Sequence, residues 1–173
     1  TAVDDQKAAT PGEDAGAGMI GTVEFNSATL YRYATVGVDQ LMRNLDGSRS
    51  DAADAITRFV DGFVRSMPTG KSNTFANRTL PSLVLVVMRS DQPINLVSAF
   101  EQPVRAGFDS GLMTESADRL IKELEAVDAQ WASPAVLTLA NYSGSLGASL
   151  GASAPFPSLL TAVREAIAED GDE

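Results

Sequence analysis

An α+β fold is predicted, because an alternating extended run, an amphipathic helix and an unbroken apolar run follow one another in that order. In GTVEFNSATLYRYATV (21–36), Phe25, Thr29, Tyr31, Tyr33 and Thr35 share one face, and Glu24, Asn26, Leu30 and Arg32 share the other, which is the period of a strand. In DAADAITRFVDGFVRSM (51–67), Ile56, Phe59, Val60, Phe63, Val64 and Met67 recur at three-four spacing, which is the period of a helix. LVLVVM (83–88) is apolar without alternation, as expected of a strand covered on both faces. Strand, helix, strand is a split βαβ unit, so the core reads as part of an RRM-like or ferredoxin-like sheet followed by a C-terminal helical extension.

The elements follow in order. Residues 1–18 (TAVDDQKAATPGEDAGAG) carry no hydrophobic period and read as a mobile loop; residues 1–20 are taken as one unit. The core spans 21–106. After its long strand comes a short helix at Val38–Asn44, and then the main helix, which Ser50 precedes. Asp54–Arg58 and Asp61–Arg65 stand four apart in the favourable order on that helix, and Pro68 and Gly70 end it. INLVSAFEQPV (94–104) reads as a short helix. The extension, 107–173, holds an amphipathic helix on Leu120, Ile121, Leu124, Val127 and Trp131, a strand in AVLTLANY, and a closing helix on Leu159, Leu160, Val163 and Ile167. Between the last two, the overlapping pentapeptide SLGAS (145–149 and 149–153) reads as a flexible connector, and EDGDE is a solvated acidic tail.

With 173 residues the chain suits one domain that buries roughly 70% of its unfolded surface. It contains no Cys and no His, which excludes disulfides, Cys/His zinc sites, thiol nucleophiles and the usual general base. No cofactor is implied. No apolar run reaches the ~20 residues of a membrane span, so a cytoplasmic protein with no membrane partner is expected, and the opening Thr suggests a cut or processed polypeptide. The net charge of −10 is unevenly spread: residues 1–21 hold four acids and one base, 22–106 eight and nine, and 107–173 eleven and three. An anionic partner is therefore compatible only with the centre of the chain.

That centre contains SMPTGKSNTFANRTLP (66–81), whose GKS resembles the end of a nucleotide-binding P-loop. The P-loop's first glycine would stand at Arg65, and here a helix precedes and a strand follows, the reverse of the required order, so an NTPase is excluded. Arg65, Lys71 and Arg78 nevertheless stand among Ser, Thr and Asn donors such as Asn73, and no acid occurs between Asp61 and Asp91. The loop is either a polar connection facing water or a phosphate contact. Tyr31 and Tyr33 allow base stacking or ordinary burial. Met19 and Ile20, between Gly18 and Gly21, are either the first core residues of the strand or an apolar wedge between bases. A Lys71–Ser72 nucleophilic pair has neither an orienting base nor an oxyanion motif beside it.

Four stretches, TAVDD, GTVEFNSATLYRYATV leading into VDQLMRNL, PTGKSNTFANRT and INLVSAFEQPV, resemble in order the crRNA-binding backbone subunit of the type I-E CRISPR Cascade complex, the CasC family. The resemblance spans nearly the whole chain, is weakest from Ser143 onward, and covers roughly the C-terminal half of the family's chain, without the first strand and helix of its RRM-like palm. It implies a non-catalytic scaffold in antiviral defence. Copies would assemble head-to-tail along the crRNA, join other Cascade subunits, and present the guide for pairing with target DNA. It also implies that the segment before Gly21 belongs to a thumb reaching a neighbouring copy, that Ile20 and Met19 carry the wedge, and that Lys71 lies near the RNA. Asn73 and Arg78 rest on the loop's chemistry alone. The alternatives are a phosphate-handling enzyme using the GKS loop and a generic single-stranded RNA-binding module that does not assemble along the strand.

Overall fold

A computed structural model describes residues 28–70, 72–144 and 153–169, together with the backbone of 3–5 and 17–20. The chain divides into two compact units, 1–30 and 31–173. In the first, β1 (Val3–Asp5) and β2 (Ala17–Ile20) pair antiparallel, with Val3 opposite Ile20 and Asp4 opposite Met19. Asp5 then pairs with Ala17, so Gly18 is the extra residue of a β-bulge. The expectation of a loop without regular structure is corrected at these residues: backbone pairing needs no hydrophobic period.

The second unit is a two-stranded sheet between helical layers. α1 (Val38–Asn44) is the short helix read from the sequence. It closes on Asp46 and Gly47, both at positive φ, with the Gly47 N–H donating to the Met42 carbonyl at 2.9 Å. α2 (Arg49–Arg65) starts two residues earlier than Ser50 suggested, because Ser48 is its cap: the Ser48 hydroxyl accepts from the Asp51 N–H at 3.2 Å. Asp51 in its first turn and Arg65 in its last complement the helix dipole. After α3 (Ser72–Phe75) comes β3 (Leu83–Met88), then a 3-10 turn at Val97–Phe100, α4 (Leu112–Gln130), β4 (Leu137–Tyr142) and α5 (Phe156–Glu169).

β3 and β4 are antiparallel, in register from Leu83–Tyr142 to Met88–Leu137. Side chains of β3 point alternately to the two faces. Val84, Val86 and Met88 pack on the cluster of Ala53, Ile56, Leu159, Val163 and Ile167 from α2 and α5. Leu83, Leu85 and Val87 pack on Leu96, Leu120, Ile121 and Leu124, the last three from α4. Coverage on both faces explains why this strand reads as a continuous apolar run. β4's far edge is tied by the chain that returns to α5: the Ala154 N–H donates to the Ala140 carbonyl at 3.0 Å, and the Tyr142 N–H donates to the Ser153 hydroxyl at 2.8 Å.

Arg89, just past β3, fastens these layers at one end. Its nearly buried guanidinium donates to Asp91 at 3.1 Å, to Asp128 at the end of α4 at 2.7 Å, and to the Ser133 carbonyl before β4. Burial alone would lower the Arg89 pKa, and the two carboxylates more than offset it, leaving the guanidinium firmly charged. The Gln92 N–H, followed by the Ser133 N–H and Arg89, holds the Asp91 carboxyl below its ordinary range.

Four expectations are corrected. The long strand 21–36 is not a strand at 28–36; its first residues, 21–27, lie outside the described set. Residues 28–36 carry no regular structure, join no ladder among the described residues and are tied down by side chains such as Arg32, so the first strand of the expected βαβ unit is absent there and β3 pairs with β4. Phe59 and Phe63 are not central core: Phe59 is 45% exposed, and the rings stack on each other at 5.9 Å on the margin of α2, whose buried face is Ala52, Ala53, Ile56 and Val64. Trp131, at the C-terminal end of α4 and 82% exposed, lies past the helix's buried stripe. Of the two ion pairs read on α2, Asp61–Arg65 forms at 2.5 Å, whereas Asp54 pairs with Arg164 of α5 at 2.7 Å rather than with Arg58. The SLGAS connector over 145–152 and the tail over 170–173 lie outside the described residues.

Candidate nucleic-acid interface

The connection from α2 to β3 carries the candidate anion contacts. The helix ends where Ser66 turns extended and donates its N–H to the Gly62 carbonyl at 2.9 Å, two residues before Pro68. The Ser72 N–H donates to the Thr69 carbonyl at 3.1 Å and opens α3. From 73 to 82 every residue is exposed, so the segment lies on the surface throughout. Asn73 sits in α3 and Arg78 beyond it, both facing outward, and the Arg78 guanidinium makes no hydrogen bond or ion pair with a described residue. Lys71 lies outside the described residues. Arg65 separates from this group: it is committed to Asp61, and its guanidinium stands 5.4 Å from the centre of the Phe156 ring.

The structure therefore brings Asn73 and Arg78 onto one exposed, acid-free loop and removes Arg65 from it. Met19 and Ile20 lie in β2 of the separate first unit, opposite Asp4 and Val3, and only their backbone is described. Tyr31 is spoken for. Its hydroxyl donates to the Asn95 side chain at 3.1 Å and its ring meets Phe100 at 5.3 Å, tilted by 48°. Partial burial raises the phenol pKa, against a lowering by the Leu96 backbone. Tyr33, 39% exposed, makes no ring contact with a described residue.

One arrangement escaped the sequence reading. Arg32 lies over the Phe63 ring at 4.3 Å and donates to the Ser66 carbonyl at 2.8 Å, which ties the segment before α1 to the end of α2 beside the loop. The alternation that puts Arg32 opposite the tyrosines was visible, but its partner 34 positions away was not. Among the described residues, no cluster of acids is arranged to hold a metal ion, and no helix is long and apolar enough to cross a membrane.

A profile of the family described as CT1975-like protein matches residues 1–158. Among solved structures, a chain of a "CRISPR RNA-guided surveillance complex" is similar over 96% of this chain and 62% of its own length, at 31% identity and a TM-score of 0.76. A chain of a "CRISPR RNA-guided surveillance complex, pre-nicking" is similar over 76% of this chain and 39% of its own, at 30% identity and a TM-score of 0.67. The chain thus spans about three-fifths of the length of the first of these relatives. A comparison with curated protein sequences finds no match.

Proposed function

Because the chain belongs to the CT1975-like protein family, we propose that it is part of a non-catalytic, crRNA-binding backbone subunit of a CRISPR interference complex of the type I-E kind. The observation that carries this reading is the likeness, over 96% of the chain, to a subunit of an RNA-guided surveillance complex. The loop chemistry supports it: an exposed segment free of acids, with Arg78 and the neighbouring Lys71, suits sequence-independent contact with phosphates. Phosphate contacts set register without reading bases, and base pairing between guide and target carries specificity. Copies of the subunit then line up head-to-tail along the guide beside other subunits, and an apolar tip at Ile20 and Met19 unstacks the guide at intervals, at a cost of a few kcal/mol per step.

Sedimentation of the protein with single-stranded RNAs of increasing length tests this. Assembly predicts complexes whose mass grows stepwise with RNA length, whereas a generic RNA-binding module predicts no coupling between neighbouring copies. Sedimentation unchanged by RNA at low salt would refute the proposal. Incubation with ATP and magnesium addresses the enzymatic alternative: turnover that Lys71→Ala abolishes would identify a phosphate-handling enzyme instead.

A further inference from the structure

The exposed loop has one backbone feature that its composition does not require. Ala76 adopts φ of 50°, in the left-handed region that alanine enters only at a cost. The other non-glycine residue there is Asp46, whose short polar side chain suits that region and which is followed by Gly47. Alanine offers no such help. Two tight closures meet at this residue: the Ala76 N–H donates to the Ser72 carbonyl at 2.9 Å, and the Ala76 carbonyl accepts from the Arg78 N–H at 2.7 Å. The stretch 73–82 lies at the surface, with Phe75 at 37% exposure its most covered large apolar side chain. The two backbone closures at Ala76 link α3 directly to Arg78.

We infer that Ala76 is a positioning residue for RNA binding: its left-handed backbone presets Asn77 and Arg78, so that the Arg78 guanidinium meets a phosphate with little ordering left to do. This rests on the RNA-binding reading given above. Strain held at an exposed position is retained only where the surrounding structure enforces it, and such positions concentrate at binding sites. Glycine at 76 would reach the same φ without strain but would also populate many other conformations, which returns the ordering cost to the binding step. Asparagine, which enters the left-handed region more readily than alanine, would keep the preset.

The test measures affinity of the whole native protein for a guide-length single-stranded RNA across a salt series, together with thermal melting of the free protein. Arg78→Ala is expected to weaken binding and to reduce the salt slope by about one. Ala76→Gly is expected to leave the melting temperature unchanged or higher and to weaken binding about 3- to 10-fold, with the salt slope unchanged because the same phosphates are still met. Ala76→Asn is expected to bind within about 2-fold of the native protein. Native affinity in Ala76→Gly alongside weakened Arg78→Ala would overturn the positioning role and leave the RNA-binding reading standing. Melting and affinity falling together in both Ala76 variants would make the residue merely structural. Native affinity in Arg78→Ala would remove the loop from the RNA interface, and the inference with it.

Discussion

Single residues of similar apolar character occupy very different environments in this chain, and substitution should separate them. Leu159 is fully buried between α5 and α2, so Leu159→Ala should cost about 2–5 kcal/mol in denaturant unfolding. Phe59 is 45% exposed, and Phe59→Ala should cost well under half of that; an equal loss would mean the ring is buried after all. The three-four spacing could not distinguish these cases, because both phenylalanines lie at the margin of a broad apolar stripe and only the neighbouring element decides which margin is covered. Arg89 makes a different kind of contribution. Removing it leaves Asp128 without its ion pair and Asp91 with only the Gln92 and Ser133 N–H groups at the junction of β3, α4 and β4, and Arg89→Ala should lower the melting temperature by several degrees. The sign of the pH dependence follows from Asp91, whose folded pKa is depressed. Its stabilisation is complete above the unfolded aspartate pKa of about 3.9 and is lost as pH falls through the folded value. The melting difference between native protein and Asp91→Asn should therefore shrink below about pH 4. A difference constant across that window would show that the carboxylate's charge contributes nothing.

At the scale of elements, β3 shows what was legible in the sequence and what was not. Its unbroken apolar run announced two covered faces, and both covers exist: α2 with α5 on one side, α4 on the other. Val84→Ala and Leu85→Ala should each destabilise by about 1–2 kcal/mol, less than at fully buried sites because both positions are partly exposed. In a strand with one solvated face, one of the two would be silent. The helices were legible for a similar reason: α1, α4 and α5 carry their own period, and tertiary contacts only confirm which stripe is inside. The alternation over 28–36 was just as clear, yet it gives a segment that joins no ladder among the described residues. Alternation specifies two faces, while a strand also needs a neighbour whose backbone can be bonded, and no local pattern encodes that neighbour. The antiparallel pairing of β1 with β2 was missed for the converse reason, since so short a pair is fixed by backbone bonds between residues that show no apolar alternation.

For the whole molecule, the separation into units 1–30 and 31–173 makes the wedge assignment of Ile20 decidable by melting. Loop residues 73–82 and their lack of acids were legible from composition, whereas Ile20 lies in the other unit and its role was readable only from the resemblance. If Ile20 is a wedge that enters stacked bases, its side chain is exposed in the free protein, and Ile20→Asp leaves the melting temperature nearly unchanged. The same substitution should then impair RNA kinking and target pairing, because a charged carboxylate does not replace apolar contact between bases and is repelled by phosphates. If Ile20 instead packs within the folded protein, Ile20→Asp places an unpaired carboxylate in an apolar site, and stability falls before RNA is added. The expected result is an unchanged melting curve with weakened target pairing on a bound guide. A large drop in melting temperature would refute the wedge while leaving untouched the phosphate contacts proposed for the loop around Arg78.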